Sequence, residues 1–435
     1  MKPDENQNPA AENPNIAAGE QAPTTHSTVQ PTVNSTTTTP PKKSHKKTII
    51  ISVIILVLVL AGGSAFALYH SKHHTKTTAT TTSVTTKTPT KTSTPPVATN
   101  TWTGKDNNYN WNDANNWSLG VPTNNQILEI NVANIALPAN GATFDFQNNI
   151  SNLTVNKLVI DGQSSNTVGF DIKGNPLTVT NGIENTATAT NAVSYSTEIQ
   201  IDNQINLGGN STIETTGHNM LTFYSSDSTS SGEVIDLSTN TLQFNTSGSS
   251  QIDVSGAIAG TGEILLSNNA VASGSSVLFY NSSPNFNGKV VIGSGDTVGI
   301  SNQANSNGGN STTDAFGNSS ITIMNGGALS VFAAGTSSFS VNNPITVSGN
   351  GITQSNGSIT GAVSACVTSA EEGCGANENI TFTGQVKLLG NTQIGQSTPP
   401  SLGANNTHVN YTFNNLDKNG YTLNTVTDYF YNAEF

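Results

Sequence analysis

LTVT from Leu177, IQID from Ile199, LTFY from Leu221, LQFN from Leu242 and ILLS from Ile264 are five short segments of one kind within residues 177–267. Their first residues lie 22, 22, 21 and 22 positions apart. In each, the first and third residues are apolar, the period-2 alternation of a strand with one face buried. A small polar residue follows each segment: Asn181, Asn203, Ser225, Thr246 and Asn268. A short alternating strand that returns at a fixed period, with no helical pattern between, predicts a solenoid. The expected fold is therefore all-β: a right-handed single-stranded parallel β-helix of about 22-residue coils. Coils would stack about 4.8 Å apart, with the first and third positions forming a continuous core.

Composition agrees with short strands joined by many turns. Only 10% of the 435 residues are charged and 34% are hydrophobic. All 15 basic residues are Lys. Nine of them fall in residues 1–100 against four acids, a net +5, while residues 101–435 hold six Lys and 23 acids, a net −17. An acidic surface without Arg excludes nucleic acid and other polyanions as partners, since those need basic patches.

The charge asymmetry accompanies a change of character along the chain. Residues 1–47 are Pro, Thr, Asn and Gln with almost no large apolar side chain, and are expected to be a disordered cytoplasmic tail. Residues 48–69 (TIIISVIILVLVLAGGSAFALY) carry no charge over 22 residues, enough to span a bilayer as a signal-anchor helix. Lys42, Lys43, Lys46 and Lys47 precede this run and only Lys72 and Lys76 follow closely. The positive-inside rule then places the amino terminus in the cytoplasm and residues 101–435 outside the cell, as a single-pass membrane protein. Ala65-Phe66-Ala67 leaves open a cleaved signal peptide instead. Residues 70–100 form a Thr/Pro/Lys-rich linker; His70, His73 and His74 within it are read as solvated.

The ordered part opens with TWTGKDNNYNWNDANNWSLGVPTNNQILEINV from Thr101. Trp102, Gly104, Trp111, Ala114, Asn116, Trp117, Gly120 and Pro122, then Ile127-Leu128-Glu129-Ile130, resemble the opening of bacterial surface β-helices of the autotransporter-passenger and pectin-lyase-like type. SGAIAGTGEILLSNN from Ser255, PNFNGKVVIGSGDTVGI from Pro284, DAFGNSSITIMNGGALSV from Asp314 and NNPITVSGNG from Asn342 extend the resemblance in order. It implies a right-handed parallel β-helix on a cell surface. The carboxyl end lacks the alternating ten-residue segments of a membrane barrel, so the family's outer-membrane secretion route is not implied. Residues 101–130 are expected to cap the first coil. Trp102, Trp111 and Trp117 are read either as that cap or as faces for stacking sugar rings.

Two insertions are expected, at 301–314 and 360–379. The second holds Cys366 and Cys374, the only cysteines in the chain, which outside the cytoplasm would close a loop disulfide. Glu371 and Glu372 at its tip are the candidate recognition residues, opposite a cationic target.

Parallel β-helices also carry polysaccharide-degrading enzymes. A lyase usually relies on a basic residue, often Arg, and this acidic chain has none. A hydrolase needs two or three carboxylates suitably spaced. Glu214 and Asp236 stand 22 residues apart, which the expected coil would stack on successive turns, with Asp202 a further outward carboxylate. Acids splayed into water at turns are the alternative. No metal or cofactor motif is present in the sequence. Together these readings predict a membrane-anchored cell-surface β-helix, non-enzymatic and without cofactor, used for adhesion to another cell, a glycan or a cell-surface protein. A polysaccharide-active hydrolase or glycan-binding module on the same scaffold is the alternative.

Overall fold

The computed structural model describes residues 96–106, 108–135, 144–192, 195–224, 232–267, 275–301, 314–332, 338–353, 359–364, 378–395, 409–425 and 431–434. All of them belong to one unit, Thr92–Phe435. The chain is a right-handed parallel β-solenoid, with no regular helix beyond two three-residue 3-10 turns among the described residues. The strands fall on three ladders visited in a fixed order along the coil, of which the first is interrupted.

The second ladder is the longest. It runs through Thr99–Thr101, Ile127–Asn131, Ser211–Thr215, Thr241–Thr246, Glu263–Leu266, Lys289–Ile292, Ser320–Ile323, Ile345–Gly349 and Leu416–Asp417. The longer strands Thr154–Asp161, Leu177–Asn185 and Val386–Ile394 turn a corner and serve two ladders each. The third ladder includes Phe144–Asn148, Val168–Gly174, Thr197–Ile201, Met220–Phe223, Gln251–Val254, Ser276–Phe279, Thr297–Ser301 and Ala328–Phe332. Every pairing in these ladders is parallel. Among the described residues the one antiparallel strand pair is Ile352–Thr353 with Ile359–Thr360, which lies in sequence between the second-ladder strand Ile345–Gly349 and the third-ladder strand Val363–Ser364.

Alternation sets the core as the sequence predicts. On the third ladder Phe144, Phe170, Ile199, Leu221, Ile252, Val277, Val298 and Leu329 are successive partners, and all are buried. Phe223 is fully buried between Ile201 and Val254. Each column forms because large apolar side chains, aliphatic or aromatic, meet others one coil above and below.

The 22-residue coil needs correction. Ile199 does lie against Leu221, and Leu242 against Ile264. Leu177, however, pairs with Ile205 on the first ladder, and Leu221 pairs with Ile252. The five segments are thus spread over all three ladders. Actual steps along the second ladder run from 22 residues (Leu242 to Ile264) to 41 (Ile345 to Val386). The strands are regular and the turns are not, so successive apolar segments recur near 22 without being axial neighbours.

The first ladder is interrupted. It passes through Ile205–Leu207 and Glu233–Asp236 and stops at Ala257–Ala259, with a lone bridge from Gly260 to Phe286. At the same position in the coil it resumes as a separate sheet of Ser338–Val341, Glu378–Phe382, Val409–Phe413 and Tyr431–Glu434. In the gap, turns replace strands, and Phe286 and Phe316 fill the core from them.

The ordered strands begin at Thr99, so Thr99 and Asn100 belong to the solenoid and not to the linker. The expected insertion at 360–379 is narrower, since Val363–Ser364 is a third-ladder strand and Glu378–Phe382 starts the next coil. Residues 1–95, the apolar run 48–69 among them, lie outside the described residues. Among the described residues no helix is long and apolar enough to cross a membrane.

Candidate functional site

The three tryptophans close the amino-terminal end of the core. Trp102, Trp111 and Trp117 are 1%, 0% and 3% exposed. Trp102 packs edge-on against Trp117 at 5.1 Å and against Phe146 at 4.8 Å, and Trp111 against Trp117 at 5.7 Å. Trp117 Nε1 donates to the Trp111 carbonyl at 3.1 Å. Asp113 begins the 3-10 turn Ala114–Asn116, accepting from the Asn115 backbone N–H and from Asn108 Nδ2. These bonds, Asn108 foremost, hold its carboxyl below the usual carboxylate range. Sugar stacking on these indoles is therefore corrected to core capping: their faces meet other rings, not solvent.

Glu214 and Asp236 do not stack. Glu214 sits on the second ladder between Glu184 and Asn245, whereas Asp236 sits on the first between Asn206 and Ala259. The coil is about eight residues longer here than expected, which separates them. Asp236 instead accepts from the Ser238 backbone at 2.7 Å, a turn-closing role. Asp202 lies half-buried just past the strand Thr197–Ile201, its N–H bonded to the Ile172 carbonyl. The three acids converge on no common point in the ladders.

Acids do gather elsewhere. Glu129, Val159, Glu184 and Glu214 follow one another up the solvent side of the second ladder. Lys157 Nζ is paired with Glu184 Oε2, and Thr101 Oγ1 donates to Glu129 Oε2 at 2.6 Å. Asp161 completes this group. Burial, then the neighbouring charge and hydrogen-bonding oxygen of Glu129, push its carboxyl above the ordinary range, with Glu184 adding to the effect. A second stack, Asp145 against Asp171, is bridged by Lys173, with 3.1 Å to each carboxylate. The sequence names Glu129 and Glu214 but pairs Glu214 with Asp236, and does not bring either group together. The signal was there as an apolar residue before Glu in Leu128-Glu129, Ile183-Glu184 and Ile213-Glu214.

Where the first ladder is interrupted, the flank opens into a cavity of about 350 Å³, lined by Pro284, Asp314, Gly317, Asn318, Asn342 and Pro344. Three successive coils build it. The turn at 284–287 is held by Phe286 N–H to the Ser283 carbonyl at 2.9 Å, and the turn at 314–317 by Gly317 N–H to the Asp314 carbonyl at 2.9 Å. The coils interlock, because Ser283 N–H reaches the Asp314 carbonyl and Asn318 N–H the Phe286 carbonyl, both at 3.0 Å. Gly317 has φ +51°, and a Cβ there would lie 2.1 Å from the Ser283 carbonyl oxygen, so only glycine lets the two turns approach. Asn342 Nδ2 donates to Asp314 Oδ1 at 3.0 Å and Asn318 Nδ2 to Asn287 Oδ1 at 3.1 Å. PNFNG and DAFGN, read above as family turns, are the segments that form this wall.

Cys366, Cys374, Glu371 and Glu372 lie outside the described residues. No group of acids, His or Cys able to hold a metal occurs among the described residues. No protein-family model matches the chain, and neither does any curated protein or any solved structure.

Proposed function

We propose that this chain is a membrane-anchored cell-surface protein whose β-solenoid makes adhesive contact with another cell or with surface glycans. The order of the chain carries the reading: a polar tail ending in four Lys, 22 uncharged residues at 48–69, a Thr/Pro/Lys linker, then an acidic parallel solenoid. An acidic solenoid that follows a Thr/Pro/Lys-rich segment suits contact beyond a membrane surface. The likeness to autotransporter-passenger and pectin-lyase-like β-helices supports the same placement. Protease added to intact cells should remove residues 101–435 and spare the tail. A protected solenoid with a digested tail would overturn the orientation.

A second reading, a glycan hydrolase, is supported by one observation: Asp161, half-buried on the second-ladder face beside Glu129 and with its carboxyl raised, has the pairing a general acid needs. Release of reducing ends from neutral polysaccharides, lost in both Asp161→Asn and Glu129→Gln, would establish it. Equal rates in the variants would dismiss it.

A further inference from the structure

We infer that Lys157 and Glu184 are joined side chain to side chain by an amide bond, a covalent staple between two successive coils of the solenoid.

Alternation brings the reacting groups together. On the strand Thr154–Asp161 the core takes Val155, Leu158 and Ile160, which leaves Lys157, Val159 and Asp161 on the outward side. Glu184 is the ladder partner of Val159 one coil on, and Glu129 is its partner one coil back. Glu184 thus stands over Val159, with Lys157 and Asp161 to either side. Lys157 Nζ meets Glu184 Oε2 directly, and the two side chains are only 30% and 29% exposed. A nitrogen and a carboxyl carbon held in contact by hydrogen-bonded strands react as parts of one molecule, at effective concentrations up to about 10⁵–10⁸ M. That offsets the preference of free amines and acids to stay apart in water.

The step balances with the two side chains alone. One ammonium proton passes to the Glu184 carboxylate, which leaves a neutral amine and a carboxylic acid. The nitrogen lone pair then forms a bond to Glu184 Cδ, and the bond from Cδ to one oxygen breaks. That oxygen departs as water with the proton it received and a second one from the nitrogen, while the third proton stays on the amide. Nothing is oxidised or reduced.

Asp161 sets this pair apart from the others. Its carboxyl is raised by burial first and then by Glu129, so it favours an O–H over a second negative charge beside the reacting group. A donor at that point steadies negative charge on the carbonyl oxygen as nitrogen adds. Lys173, by contrast, is shared between Asp145 and Asp171 at 3.1 Å from each, and two carboxylates hold it as an unreactive ammonium. Lys387 stands 4.0 Å from Asp417, with both side chains 42% exposed.

The test is a tryptic map of the full-length chain, unfolded before digestion. The chain has no Arg, and between Thr101 and Lys289 its basic residues are Lys105, Lys157, Lys173 and Lys289. Trypsin should fail to cut after Lys157, and fragment 106–173 should arrive joined to 174–289, one water lighter than the sum of the two. Fragmentation should place the link between Lys157 and Glu184, with Lys173 and Lys387 as free amines. Lys157→Arg keeps the charge but offers no amine, and should give separate fragments of full mass. Asp161→Asn keeps an uncharged donor and should still link, whereas Asp161→Val should leave part of the chain unlinked. Separate fragments of full mass from the parent, or a link at Lys173 instead, would overturn the staple. So would a missing water that persists in Lys157→Arg, because Asp161-Gly162 can lose water by itself in closing a succinimide ring. An Asp161→Val chain linked as fully as the parent would overturn the part assigned to Asp161.

Discussion

Replacing Phe223 with Ala probes the register most directly. The ring is fully buried on the third ladder, with Ile201 below and Val254 above as its backbone partners. Deleting a buried phenyl group costs about 3–5 kcal/mol, and more where the surroundings cannot close over the void. Here the flanking side chains are held by parallel hydrogen bonds in three successive coils, so collapse is restricted and the upper part of that range, about 4–5 kcal/mol, is expected. The assay follows urea unfolding with two signals. All three tryptophans lie in the amino-terminal cap, so their fluorescence reports one end of the rod, while far-UV circular dichroism reports all of it. In a repeat protein each coil contacts only its neighbours, so damage at 223 should spread unevenly. The dichroism midpoint should fall clearly and the fluorescence midpoint less. A loss below about 1 kcal/mol would refute burial in the stack. Equal displacement of the two signals would refute the quasi-one-dimensional account.

Gly182 has φ +115°, and a Cβ there would come within 1.8 Å of the Thr212 carbonyl oxygen one coil above; Gly182→Ala should therefore cost more than about 2 kcal/mol, and a change under about 0.5 kcal/mol in urea melts would contradict the close stacking. Asp161 has its folded-state carboxyl raised mainly by burial, so the folded protein holds that proton more tightly than the unfolded chain, and this group's penalty grows as pH rises from the ordinary carboxylate range through the folded value. Asp161→Asn should accordingly raise the melting temperature at about pH 7 and by less at about pH 4; an equal gain at both would argue against the raised carboxyl. Lys173→Ala removes the cation between Asp145 and Asp171 and should cost about 0.5–1 kcal/mol at low ionic strength, fading at high salt. A loss independent of salt would point to packing of its stem instead.

Inward positions were legible because alternation is a local property. Leu177, Ile199, Leu221, Leu242 and Ile264 all face the core as their pattern requires. Which ladder each joins was not legible, because three ladders use the same alternation and differ only in the turns between them. Four nearly equal spacings therefore looked like one period. The misplacement of Glu214 and Asp236 follows from it, since a pair separated by one false period lands on two different faces. The cap was readable from three aromatic residues in a short span, but whether they faced in or out needed coordinates. The cavity was harder to foresee. Its signature is a missing strand, and PNFNG and DAFGN look like ordinary turns until the ladder is seen to stop there. Nothing in Pro284, Asn318 or Asn342 individually suggests that three coils bring them together.

The gap in the first ladder also matters when the rod is pulled. Tension applied along the axis, between a tethered end and a captured surface, is carried by the hydrogen bonds that join each coil to the next. Between Ala257–Ala259 and Ser338–Val341 two ladders of strands share that load with only a few turn-to-turn bonds, such as Ser283 N–H to the Asp314 carbonyl, on the third flank, whereas the coils just before and after the gap have three ladders. Under shear or stretching the molecule should part at this level first, shielding the flanking stacks from rupture. A pulling experiment would register it as an early, low-force step before the longer segments unravel.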